Sequence, residues 1–208
     1  MEYELFNDYL EVFFLDIESE SDKNFNLTSI ATLPFENESE YQKYNLPKAF
    51  FEVYKNSNGF ELKWHDESNA NYSGGLHFLN VKECIASNGF LDENDFANND
   101  MLKYFYAFDI VTAETECGFM ITPEETYKTI YYRSGFETNS LELDFVGYVT
   151  MLYHSRAYQN WPRVILDIIN QEESEITEEF KTCMTSKDAD FTWEKYTAIF
   201  NELRLDKE

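Results

Sequence analysis

A short amphipathic helix is the first clearly bounded element that the pattern of apolar positions predicts. Phe50, Val53 and Tyr54 recur at helical spacing, and Pro47 suits the first turn because its missing N–H costs nothing there. Asn58-Gly59 should end this helix, since both residue types tolerate the left-handed conformation of a helix C-cap. The chain is then free to continue in an extended direction.

Extended segments follow this helix. Phe60, Leu62 and Trp64 alternate with charged residues, which predicts a strand with one apolar and one wet face. A Gly-Gly loop and a second short strand come next, and aromatic and β-branched residues predict three further strands at 104–111, 118–122 and 129–133. We expect an antiparallel or mixed sheet of about five strands.

Helical periodicity dominates the two ends of the chain. The predicted helices cover 2–17, 81–86 with Asn80 as cap, a long segment that begins at Ser140 or Asp144, and then 163–170, 176–184 and 192–203, the last with Asp190 as a plausible cap. Residues 18–45 are polar and acidic and are predicted to be loop. Strands in the middle with helices at the ends favour an α+β fold over a regularly alternating α/β sheet.

The order of these elements resembles the SUKH superfamily, which includes yeast cell-wall-assembly regulators and many bacterial immunity proteins. The matching pieces are Leu-Pro, an aromatic-rich helix, Asn-Gly, a strand ending in Trp64, a Gly-Gly loop and another strand, followed by the aromatic stretch 104–108, the strand 129–133 and a helix at 141–161. The resemblance covers residues 46–161. It implies an α+β domain that binds and inhibits a partner protein rather than a catalyst.

Composition limits the remaining possibilities. A chain of 208 residues that is 43% hydrophobic and 18% aromatic can bury one substantial core, and we expect a single domain spanning 1–208, with 162–208 as a helical C-terminal extension. The net charge of −24 is high, but 15 Tyr and 19 Phe supply the burial that disordered acidic chains lack. The N-terminal residues do not form a basic secretory leader and no apolar run reaches about 18 residues, so we expect a cytoplasmic protein.

Candidate chemistry is sparse. His65 and His77 flank the Gly-Gly loop, and with Asp66 or Glu67 they would form a metal site of the two-His, one-carboxylate type, although both suit ordinary polar positions at strand ends. The acidic segment 91–100 fails as a calcium loop because Ala97 occupies the position that requires Gly. Three distant cysteines favour neither a disulfide framework nor a zinc cluster. We expect no cofactor, no metal and no enzymatic activity.

The distribution of charge is the better functional clue. Residues 1–45 carry eleven acids against Lys23 and Lys43, and residues 92–125 carry nine acids against Lys103. Such a surface keeps a protein soluble, and it also suits a basic partner. Direct nucleic-acid binding is disfavoured, because phosphate neutralisation needs clustered Lys and Arg.

The resemblance to the SUKH superfamily implies an immunity protein that binds a cognate toxin domain and blocks its active site or substrate groove. The tendency of that family, together with the acidic balance of this chain, makes a basic nuclease the expected target. The protein itself is expected to be a monomer or a dimer. An aromatic anchor ringed by charges is the usual anatomy of a tight interface, although Trp64 suits the core equally well. The predicted contact residues are Trp64, Asp66, Glu67, Tyr72, Asp92, Glu93, Asp95 and Asp100. The alternatives are a regulatory scaffold that binds several cellular proteins and a metal-dependent enzyme that uses His65 and His77.

Overall fold

A seven-stranded antiparallel sheet dominates the computed structural model, which describes residues 25–32, 46–54, 58–67, 69–87, 102–125 and 127–205. The strands are β1 (Phe25–Thr32), β2 (Phe60–Asp66), β3 (Asn69–Phe78), β4 (Phe105–Thr112), β5 (Thr115–Met120), β6 (Tyr131–Ser134) and β7 (Glu137–Ser140). Each strand pairs with the next one along the chain. The α+β class predicted from the sequence is confirmed.

Helices lie between the strands and after the last strand in the chain. They are α1 (Lys48–Tyr54), α2 (Val81–Ser87), α3 (Phe145–His154), α4 (Trp161–Asn170), α5 (Glu175–Lys187) and α6 (Trp193–Leu203), with a 3-10 turn at Leu102–Tyr104. In the described part of the chain no helix is long and apolar enough to cross a bilayer. The predicted helix at 2–17 lies outside the described residues.

Polar caps set the starts of these helices. Asn80 Oδ1 accepts a hydrogen bond of 2.9 Å from the Glu83 N–H, and the Glu83 carboxylate accepts one of 3.2 Å from the Asn80 N–H, which is a capping box. Asp144 caps α3 by accepting from the Gly147 N–H at 2.7 Å, so this helix begins there and not at Ser140. The predicted cap Asp190 is wrong, because Thr192 caps α6.

The observed elements differ from the predicted ones at four places. β1 lies inside the segment predicted to be loop, and the polar strand β7 was not predicted. The Gly-Gly pair lies within the ten-residue strand β3 rather than in a loop. The predicted helix at 141–161 divides into α3 and α4, because Arg156 and Ala157 take left-handed φ values of 50° and 49°.

One hydrophobic core joins the sheet to the helices. Its aromatic centre includes Phe50 of α1, Phe108 of β4 and Phe145 of α3, whose ring centroids lie 5.2–6.3 Å apart. Phe180 of α5 and Phe200 of α6 belong to the same cluster of buried residues. The C-terminal helices therefore share the core of the sheet.

The sheet is weakest between β3 and β4, where Phe78 and Asp109 form the one ladder pair among the residues that the structure describes. Beyond that pair the two strands separate, and the turn between α3 and α4 occupies the space beside β3. The Gly75 N–H donates to the Ala157 carbonyl at 2.7 Å, and the Gln159 N–H donates to the Ser73 carbonyl at 3.1 Å. Three residues of a turn thus substitute for a neighbouring strand.

Candidate functional site

The Gly-Gly pair allows three chain segments to meet closely. Trp64 pairs with Gly74 in the β2–β3 ladder, and Tyr158 bridges Gly74 from the other side. A Cβ added to Gly74 would lie 2.3 Å from the Ala157 carbonyl oxygen and 2.4 Å from the Trp64 indole. Because Gly74 has no side chain, the Trp64 indole and the turn at Ala157 can both pack directly against it.

Because residues that pair directly across a sheet share a face, Trp64, Gly74 and Tyr158 point to the same side. Tyr72, two residues before Gly74, points to that side as well. This is the face that the C-terminal helices cover, since Tyr158 packs on Phe180 of α5 with ring centroids 5.5 Å apart. Tyr72 lies nearer the end of the strand and is half-buried.

An open groove of about 260 Å³ runs between this end of β3 and α5. We call it the Tyr72 groove, and it is lined by Asn69, Tyr72, Glu175, Glu178, Glu179 and Thr182. The four α5 residues stand at positions i, i+3, i+4 and i+7 and so form one stripe on the helix surface. The opposite stripe, with Phe180 and Met184, is buried in the core.

The groove carries an excess of negative charge. Lys181 bonds Glu178 at 2.7 Å and Glu173 at 3.2 Å, and its ammonium lies 4.7 Å from the centroid of the Trp193 ring. Glu175 and Glu179 are exposed and make no ion pair within the part of the chain that the structure describes. Two carboxylates of the stripe therefore remain available to a cation.

Tyr158 lies beside the groove and is only 3% exposed. Burial in the first place, and then the neighbouring Glu179 carboxylate, raise the pKa of its phenol to about 12. Its hydroxyl makes no hydrogen bond within the described residues and is not fully buried, so the ring is enclosed while the oxygen reaches solvent. The Tyr158 oxygen therefore lies at the surface close to Glu179 and Tyr72, where a donor group of a ligand can bond it.

A buried ion pair fixes α5 to the sheet. Lys187, in the last turn of α5, donates to the Asp66 carboxylate at the end of β2. Asp66 is 4% exposed, so its carboxylate is desolvated, and the Lys187 ammonium compensates its charge. The pair sets the distance between α5 and the β2–β3 hairpin, which forms the other wall of the groove.

The structure separates the predicted contact residues. Tyr72 lines the groove and Glu67 is exposed in the turn that follows β2. Trp64 and Asp66 are corrected to internal residues, because Trp64 is 3% exposed in the core and Asp66 is engaged by Lys187. Asp92, Glu93, Asp95 and Asp100 lie outside the described residues, and their role remains a prediction.

The alternative metal site at His65 and His77 does not assemble. In the β2–β3 ladder His65 pairs with Ser73, whereas His77 pairs with Glu61, which precedes His65 by four residues in β2. At about 3.3 Å per residue this places the two histidine backbones roughly 13 Å apart. Within the described ranges no group of three His, Cys, Asp or Glu residues is placed to hold a metal ion.

A second cavity of about 220 Å³ lies where β3 and β4 separate, lined by Lys63, Gly75, His77, Ile110, Val111 and Gln159 among others. Beside it, Asp109 is 1% exposed and accepts hydrogen bonds from the Tyr148 hydroxyl at 2.6 Å and from the His77 N–H at 3.0 Å. Burial raises the pKa of Asp109 to about 6. We interpret these hydrogen bonds as structural, because both donors belong to the chain itself and the bonds join β3, β4 and α3 where the two strands separate.

The acidic stripe on α5 is the feature that sequence reasoning missed. Adjacent acids occur at several places in the chain, and Glu178-Glu179 alone does not distinguish a site. The informative signal is the spacing of Glu175, Glu178, Glu179 and Thr182 opposite an apolar stripe. Only the fold shows that Tyr72 lies beside that stripe.

Neither a family model, nor a curated protein, nor a solved structure matches this chain.

Proposed function

We propose that this chain is a SUKH-like immunity protein that acts in the cytoplasm, where it binds and neutralises a cognate toxin domain, a basic nuclease, through protein–protein contacts. The observation that carries the proposal is the Tyr72 groove. Its half-buried aromatic ring stands beside Glu175 and Glu179, two exposed carboxylates that the described residues leave without ion pairs.

The overall charge supports a basic partner. With 40 acidic and 16 basic residues, the chain attracts cationic surfaces over a distance comparable to the Debye length, about 8 Å at physiological salt. Electrostatic steering of this kind raises association rates and selects partners of opposite charge. A nuclease carries a complementary surface, because it must neutralise phosphates.

The test is co-expression with the product of the gene that lies immediately upstream, which the proposal expects to be a toxin, with growth as the readout. We expect the chain to restore growth and to form a complex that survives purification. An acidic protein of unrelated fold is the control, because specificity requires local complementarity as well as net charge. Equal rescue by that control, or no rescue by the chain, would contradict the proposal.

A further inference from the structure

We propose that the Tyr72 groove seats an arginine side chain of the partner, with the guanidinium stacked on Tyr72 and bonded to Glu175 and Glu179. This inference rests on the proposed function for the identity of the partner as a basic protein. It adds the chemical group that is recognised and the residues that recognise it.

The size of the groove favours a single side chain. Its volume of about 260 Å³ lies below the range of about 300–1,000 Å³ that is usual for pockets that hold drug-sized molecules. The groove is open along one side, so a side chain can enter while its backbone stays outside. A segment of a partner protein therefore suits the groove better than a free metabolite.

The charges of the groove favour a cation. Glu175 and Glu179 are four residues apart on α5, which places their Cβ atoms about 5–6 Å from each other on one helix face. Lys181 neutralises Glu178 between them and leaves these two carboxylates exposed to solvent. An occupant that lies between them gains two charge-assisted hydrogen bonds.

The aromatic side of the groove favours arginine over lysine. A guanidinium is planar, stacks on aromatic rings and presents several N–H donors in a fixed fork, whereas an ammonium is a compact and strongly hydrated point charge. Tyr72 offers the ring. The Tyr158 hydroxyl, which reaches solvent close to Glu179 and makes no hydrogen bond within the described residues, offers an additional acceptor for a donor-only group.

The probe for this site is a hexa-arginine peptide, compared with hexa-lysine and with hexa-citrulline, the neutral analogue of the same shape. We expect the parent protein to bind hexa-arginine at least 5-fold more tightly than hexa-lysine at physiological salt, and not to bind hexa-citrulline measurably. Titration by NMR should move the ring resonances of Tyr72 and Tyr158 first. No binding of hexa-arginine, or equal affinity for the arginine and lysine peptides, would overturn the proposal.

Matched variants separate this groove from bulk charge. Glu175→Gln with Glu179→Gln should weaken hexa-arginine binding at least 10-fold, and Tyr72→Ala should weaken it to a similar extent. Glu194→Gln with Glu202→Gln removes the same charge from exposed positions of α6 and should change binding less than 2-fold. Equal weakening by both double variants would show that net charge, and not the groove, binds the peptide.

The toxin assay distinguishes failure of this inference from failure of the proposed function. If the groove variant rescues growth as well as the parent, the toxin contacts another surface and the groove inference is overturned while immunity stands. If the parent binds hexa-arginine selectively but rescues nothing, the groove stands and the proposed function is overturned. Tyr158→Phe, which removes only the hydroxyl, should weaken binding about 3-fold, and an unchanged affinity would exclude that hydroxyl from the site.

Discussion

The indole Nε1 of Trp64 donates a hydrogen bond of 2.8 Å to the backbone carbonyl oxygen of Arg156. The donor lies on β2 and the acceptor lies in the turn between α3 and α4, 92 residues later. Arg156 has a left-handed φ of 50°, a backbone conformation that is unfavourable for residues other than glycine. The bond therefore holds a strained turn against the sheet, and it explains why an aromatic residue with an N–H group occupies position 64.

Trp64→Ala should destabilise the fold rather than remove a binding contact. Truncation of a buried Trp costs about 3–5 kcal/mol, and the change also leaves the Arg156 carbonyl without its indole donor. Chemical denaturation should show this loss, and Trp64→Phe should fall between the parent and Trp64→Ala. A variant that melts like the parent but binds its partner weakly would instead return Trp64 to the interface.

Gly74→Ala should also destabilise the protein, although it adds only one methyl group. That methyl would lie 2.3 Å from a backbone oxygen, and overpacking of this kind costs about 1–3 kcal/mol. Gly147→Ala is the matched control, because the added Cβ meets Leu143 at 3.2 Å and alanine gains helix propensity in α3. Thermal melting should separate the two variants, and equal melting temperatures would contradict the close contact at Gly74.

The periodicity of apolar residues was sufficient to predict α1, the β2 strand and the C-terminal helices, because each of these elements carries its own amphipathic stripe and end signals. It failed for β7, whose four residues are polar and are held by pairing with β6 rather than by burial. It failed also at Arg156-Ala157, where no Gly, Asn or Pro signals that α3 has ended. That break depends on Gly74 and Trp64, which are distant in sequence.

The candidate site was predicted only in part, because it also depends on contacts between residues that are distant in sequence. Tyr72 was predicted as a contact residue because it lies next to the Gly-Gly pair in the sequence. The alternation of Phe60, Leu62 and Trp64 predicts which residues share a face, but it does not show that helices cover that face. Asp66 looked exposed in the sequence because its partner, Lys187, lies 121 residues away.

Removing the Lys187 charge alone should destabilise the fold more than removing the charges of Lys187 and Asp66 together. Lys187→Met removes the cation and leaves a buried carboxylate, which costs about 3 kcal/mol. Combining it with Asp66→Asn should restore much of the stability, because the remaining group is neutral. A double-mutant cycle by urea unfolding measures this coupling, and additive losses would show that the two side chains act independently.

Asp109 should make stability depend on pH. Its pKa is raised by burial to about 6, from about 3.8 in an unfolded chain, so the folded state binds this proton more tightly. This contribution to stability is complete below about pH 4 and is lost as the pH rises through 6. Asp109→Asn abolishes the titration while its amide oxygen can still accept the His77 N–H.

The stability of Asp109→Asn relative to the parent should therefore rise by up to about 3 kcal/mol between pH 4 and pH 8, since two pKa units correspond to about 2.7 kcal/mol. Urea unfolding of both proteins across this range gives the difference directly. A difference that does not change with pH would mean that Asp109 keeps one protonation state throughout.

The turn that lies along β3 has a consequence for association between molecules. A strand whose neighbour has moved away presents free backbone groups, and such an edge recruits strands from other chains. Here the hydrogen bonds of Ala157 and Gln159 to Gly75 and Ser73 occupy that edge. Loosening this turn should therefore promote aggregation by edge-to-edge pairing while most of the fold is still intact.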